Sequence, residues 1–192
     1  TYENADAFAL RNPIPFFGVG LIAEIAEEAI LAHADPEDRD GDGISGRPNF
    51  DRGFVGRFGR KAQTVRIEGI IRGPLFNHLG ITTDPLGPTS RAPLPVTSPE
   101  TVRGSRAPLT GGDVGRSVQF QAAAPDEPTE DDDGIPDPEL AEDDLFALVS
   151  WAMLLAAPEA DEPSERTRAG EGHFEAGCCA DWHVRSLESP RG

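Results

Sequence analysis

Apolar residues recur at helical spacing in three stretches of this 192-residue chain. Leu21, Ile22, Ile25, Ala29, Ile30 and Ala32 form the first set, with Glu24, Glu27 and Glu28 on the other side. This predicts a helical stretch, in one or two pieces, within 21–33. Before it, Arg11 to Gly20 is too rich in Pro and Gly for a helix interior and reads as an extended apolar segment. Val65, Ile67, Ile70, Ile71, Leu75 and Phe76 make Lys61 to Leu79 a helix candidate, with Pro74 straining its last turn. The clearest helix carries Leu140, Leu145, Leu148, Val149, Ala152, Leu155 and Ala156. Asp137 is its expected N-cap, Pro138 its first residue, and Pro158 its stop. A last helix is expected from about Ser164 to about Gly177.

Between these stretches the pattern fades. Asp35 to about Arg52 reads as a hydrophilic loop. From Gly80 to Glu130 repeated prolines exclude long regular elements, with one short strand expected over 115–120. The class is therefore mainly α, with long Pro/Gly-rich connections and little strand. The 21 Gly and 18 Pro agree, being too many for a chain of continuous helices.

Charge adds a second pattern. The net formal charge is −17, from 34 acidic and 17 basic residues. Residues 1–51 carry −8, residues 52–121 carry +6 and residues 122–192 carry −15. The overall sign argues against nucleic acid, whose phosphates require a basic footprint. It argues equally against an anionic membrane surface. No apolar run approaches the ~20 residues of a membrane span.

Two segments carry candidate chemistry. Asp38, Asp40 and Asp42 stand at alternate positions, followed by Gly43 and Ile44. A calcium loop takes side chains from its first, third and fifth positions, a turn glycine at the sixth and a backbone carbonyl at the seventh. Ile44 would supply that carbonyl. The twelfth position, Glu in a complete EF-hand, is Asn49. A second acidic run, Asp131 to Asp137, is spaced less regularly and reads as a solvated loop.

The other segment is Cys178-Cys179-Ala180-Asp181-Trp182-His183. A c-type haem site needs Cys-x-x-Cys-His: the thiols attach to the haem vinyl groups and the His ligates iron. Cys179 and His183 hold the first and last positions, while Trp182 replaces the second Cys. Neighbouring cysteines rarely bond to each other. With only two Cys in the chain, a disulfide framework is excluded and a closed zinc site is disfavoured. His33 and His78 read as helix-end or surface residues, His173 carries no assignment, and Met153, the one Met, reads as core.

The order of these segments resembles the di-haem oxidoreductase family, bacterial c-type cytochromes similar to di-haem cytochrome c peroxidases and MauG. The matching pieces are Phe16–Ile22, Glu28–Leu31, Asp40–Asn49, Gly56–Gln63, Leu79–Thr82, Leu145–Pro158 and Gly170–Val184. The resemblance implies cytochrome c-like helical domains, with residues 1–160 a scaffold between two haem sites. That scaffold would contain the calcium-type loop 35–52 and the irregular segment 80–136. Residues 161–192 would begin a C-terminal haem domain. The resemblance also implies haem c attached at Cys179, His183 as its axial ligand, and a periplasmic or extracellular location. The implied activity is electron transfer with peroxidase-like chemistry, and the implied partner an electron-transfer protein or larger redox complex. Arg60 stands where such sequences often carry Trp. Family members carry a further Cys-x-x-Cys-His upstream and continue beyond Val184, so the expectation is an internal piece of a longer protein.

Two other function classes remain open on the residues alone. One is a haem-less, calcium-stabilised structural or assembly subunit. The other is a thiol redox protein using Cys178 and Cys179.

Overall fold

The structure is a computed structural model that describes residues 12–97 and 127–187. The expected strand over 115–120 lies outside the described residues. Helices dominate: α1 (Val19–Glu24), α2 (Glu27–Leu31), α3 (Ile67–Leu79), α4 (Pro88–Arg91), α5 (Glu142–Leu154), α6 (Glu165–Ala176) and α7 (Cys179–Trp182). The one described sheet is a hairpin of β1 (Phe50–Asp51) and β2 (Phe54–Val55). No described helix is long and apolar enough to cross a membrane.

The core is built where α1 and α3 pack on α5. Val19 and Ala23 of α1, Ile67 and Ile71 of α3, and Leu145, Val149 and Ala152 of α5 interlock there with Phe58 and Leu86. Met153 packs against this cluster, as its apolar surroundings in sequence predict. Gly20 allows the close approach of α1 to α5. A Cβ at that position would lie 2.1 Å from the Met153 carbonyl oxygen.

The first helical stretch is split at Ile25 and Ala26, both extended. Tertiary hydrogen bonds explain the break. The Ile25 carbonyl accepts from Arg57 Nη2 at 2.6 Å, and buried Glu27 accepts the Val55 amide proton at 2.9 Å. Burial lowers the Arg57 pKa, while the charges of Glu27 and Glu28 oppose that shift.

The hydrophilic loop ends earlier than its composition suggests. Its last residues enter the hairpin, in which Phe50 pairs with Val55 and Asp51 with Phe54. Arg52 and Gly53 both have positive φ, 52° and 85°. That is the geometry of a two-residue turn matched to strand twist.

Helix α3 starts at Ile67, six residues after Lys61. The backbone groups of Phe58 and Thr64 are already committed to each other, at 2.9 and 3.2 Å, so the helix cannot begin sooner. Pro74 lies within α3, and Gly80, with φ of 73°, closes it.

Helix α5 also starts late, and Asp137 is not its cap. The N-cap position is Ala141. Glu139 and Leu140 instead pair with Thr82: Glu139 N–H donates to Thr82 Oγ1 at 3.0 Å and Leu140 N–H to the Thr82 carbonyl at 3.1 Å. Asp137 accepts the Asp131 amide proton, and its peptide bond to Pro138 is cis. Glu142, Asp143 and Asp144 fill the first turn of α5, where acidic groups suit the helix dipole. The helix ends at Leu154, before Pro158. Leu155 is extended, and its carbonyl accepts from Gly18 N–H at 2.9 Å.

The last helix matches its expected span. Ser164 caps α6 by accepting the Thr167 amide proton at 3.2 Å. Every residue of α6 is exposed.

Candidate functional site

The acidic loop is closed by a bridge between Asp35 and Gly46, with Asp35 N–H donating to the Gly46 carbonyl at 3.0 Å. Asp35 Oδ2 then accepts Arg39 N–H at 2.6 Å, which starts the turn. Asp38, Gly41 and Gly43 all adopt positive φ, 51°, 74° and 85°. Two glycines make that path tolerable. The result brings one carboxylate oxygen from each of Asp38, Asp40 and Asp42 within 4.8 Å of the others. Among the described residues no other trio of metal-ligating side chains converges in this way.

The carboxylates are also held in place by the backbone. Asp38 Oδ1 accepts from Gly43 N–H at 3.0 Å, Asp40 Oδ1 from Asp42 N–H at 3.3 Å, and Asp42 Oδ1 from Ile44 N–H at 2.7 Å. Arg47 donates to the Pro36 carbonyl at 2.8 Å and braces the loop from below. Asn49, the twelfth position, is committed elsewhere. Its side chain donates to the Lys61 carbonyl and accepts from Phe50 N–H, both at 2.9 Å. The loop therefore resembles the first half of a calcium loop without its closing carboxylate.

The second acidic loop repeats the local geometry without the convergence. Asp133 N–H donates to Asp131 Oδ1 at 3.2 Å and Ile135 N–H to Asp133 Oδ1 at 2.7 Å, with Gly134 at φ 93°. The Asp-Gly-Ile turn is thus the same in both loops. The similar look of the two loops in sequence is therefore matched by their shared turn geometry. The hydrogen bond from Asp133 favours the Asp131 carboxylate, yet partial desolvation and the charges of Asp133, Asp137 and Glu139 outweigh it. Its pKa is raised.

The cysteine segment lies at the other end of the described chain. Cys178 turns through a positive φ of 59°, and α7 carries Cys179 through Trp182. His183 N–H donates to the Cys179 carbonyl at 3.0 Å, so the two residues lie one helical turn apart along the backbone. Both cysteines are free and exposed. Phe174 of α6 meets the His183 ring with centroids 6.0 Å apart and planes at 48°. Trp182 is 69% exposed, Val184 47% and Phe174 39%. An exposed thiol and an exposed imidazole on residues one turn apart, flanked by uncovered apolar side chains, fit a planar apolar group held by one thioether and one nitrogen ligand. The Trp182 indole offers no second attachment. His33 and His78 are exposed at helix ends, as expected, and enter neither site.

The acidic trio and the Cys179–His183 turn sit on separate elements, and neither contributes to the other. A family model described as "di-haem oxidoreductase, putative peroxidase" matches residues 1–118, which include the acidic loop but neither cysteine. No curated protein and no solved structure matches the chain.

Proposed function

Because the chain belongs to the di-haem oxidoreductase family, we propose that it carries haem c at Cys179 and serves electron transfer with peroxidase-like use of peroxide. Cys179 would hold the haem through a single thioether and His183 would offer its iron a nitrogen ligand. The observation that carries this assignment is the one-turn spacing of two exposed donors, Cys179 and His183, beside uncovered Phe174 and Trp182. When bound, haem supplies a one-electron redox centre. Trp182 and Phe174 would offer it apolar contact, and the His183 backbone bond to Cys179 keeps both donor residues on one turn.

The Asp38, Asp40 and Asp42 carboxylates, with the Ile44 carbonyl, are assigned to calcium. Three carboxylates held this close repel one another, and a divalent cation offsets that repulsion. The acidic residues from Glu127 to Asp144 are exposed almost throughout and form a docking face for a basic electron-transfer partner. A periplasmic or extracellular location follows from c-type attachment.

Production of the chain alongside c-type haem attachment machinery tests the haem assignment. The expected result is a pyridine haemochrome spectrum with one thioether and a mass increase of one haem, both lost in Cys179→Ser. An unmodified mass in the unaltered chain overturns it. Trp182 in place of the second Cys favours one other reading, a haem-less calcium-stabilised structural subunit. That reading predicts the unmodified mass together with a chelator-sensitive melting temperature.

A further inference from the structure

Arg185 lies two residues beyond His183, whose backbone is extended (φ −119°, ψ 101°). His183 and Arg185 both meet α6. The α6 residues they meet are Glu171, Phe174 and Glu175, spaced to share one face of that helix. Arg185 Nη1 pairs with Glu175 Oε1 at 3.2 Å, and Nη2 pairs with Glu171. Phe174, flanked by these two carboxylates in sequence, takes the His183 ring.

We infer that Arg185 is the positioning residue of His183: gripped by Glu171 and Glu175, it folds the chain after α7 back onto α6 and seats the imidazole against Phe174. This rests on the reading of His183 as an iron ligand, because only then does its orientation matter for function. The guanidinium suits the task. Its planar fork spans two carboxylates, whereas a lysine ammonium acts as a single point charge. A lone exposed ion pair contributes little, but one cation shared by two carboxylates on a helix face is a network with defined geometry. His183 remains exposed, so the contact orients the ring without covering it.

The test is NMR of the haem-free full chain, reading the His183 ring-proton shifts and the NOE between the Phe174 and His183 rings. Phe174→Leu assigns the ring-current contribution. Arg185→Gln is expected to abolish the NOE and return the His183 ring shifts to random-coil values, with unchanged far-UV circular dichroism. The double variant Glu171→Gln/Glu175→Gln is expected to do the same from the other side of the contact. Arg185→Lys should restore part of the shift. An unchanged NOE and unchanged His183 shifts in Arg185→Gln overturn the proposal. Because the readout is taken without haem, it stands or falls separately from the mass and haemochrome test of attachment.

Discussion

The Glu68 carboxylate and the Arg91 guanidinium meet at 2.8 Å across 23 residues, with the Glu68 side chain only 3% exposed. The same carboxylate accepts the Leu86 amide proton at 2.9 Å. One buried acid on α3 thus fixes both the start of the segment leading to α4 and α4 itself. Removing the charge from one member of a buried pair takes away much of what offsets the other's desolvation. Glu68→Gln is expected to cost about 3 kcal/mol, by analogy with buried pairs in general. Urea denaturation monitored by circular dichroism measures this.

Gly20 offers a steric counterpart. A methyl group at this position would press on the Met153 carbonyl, which belongs to the helix backbone and cannot swing away. Gly20→Ala is expected to cost about 1–3 kcal/mol as overpacking, despite the higher helix propensity of alanine. The thermal midpoint of the variant should fall accordingly. Gly172→Ala, where a Cβ would meet nothing within 4 Å, should be neutral or slightly stabilising.

The calcium assignment predicts a difference between binding and folding. Asn at position 42 keeps an oxygen acceptor for Ile44 N–H, so Asp42→Asn should leave the metal-free stability nearly unchanged. It should, however, remove most of the calcium-dependent gain in melting temperature. The stabilisation behind that gain is about 2.7 kcal/mol when calcium is a hundredfold above its dissociation constant. Equal melting temperatures of the unaltered chain in calcium and in chelator would exclude the site.

Asp131 has a definite pH signature. Its pKa is raised, so the folded state disfavours the charged form at neutral pH. As pH falls through the folded value, the folded chain takes up the proton first and this penalty shrinks. It is fully removed below the ordinary aspartate value of about 3.9. Asp131→Asn retains the acceptor for Asp133 N–H. It should therefore be slightly more stable than the unaltered chain at neutral pH and low salt, with the difference vanishing in acid. Paired denaturation curves at several pH values check the sign.

Glu142 carries the opposite sign. The hydroxyl of Ser90 donates to it at 2.5 Å and Gly87 N–H adds a second bond, which lowers its pKa. The stabilisation is present above the unfolded carboxylate range and is lost as pH falls through the folded value. Ser90→Ala should remove most of this pH dependence, an effect readable in the same series of curves.

Much of the helical inventory was legible because a helix needs only its own backbone and one apolar stripe. The span of α6, from near Ser164 to about Gly177, followed from local residues alone. So did the acidic trio, since alternate carboxylates and a turn glycine act over seven residues. The starts of α3 and α5 were not legible. Thr64 and Glu139–Leu140 are bonded to Phe58 and Thr82, and partners at that distance leave no mark on local periodicity. The hairpin was hidden for the same reason, its two-residue strands being too short to show alternation.

The sequence by itself thus determined the mainly helical class, the order of family segments and the residue types at both candidate sites. All of these depend on near neighbours or on spacing. Tertiary structure decided where helices stop, which buried acids hold them, and how His183 is presented. Glu27 reaching Val55, Glu68 reaching Arg91 and Arg185 reaching α6 are contacts between side chains and distant groups. Their geometry exists only once the core formed by α1, α3 and α5, and the fold-back after α7, have brought those groups together.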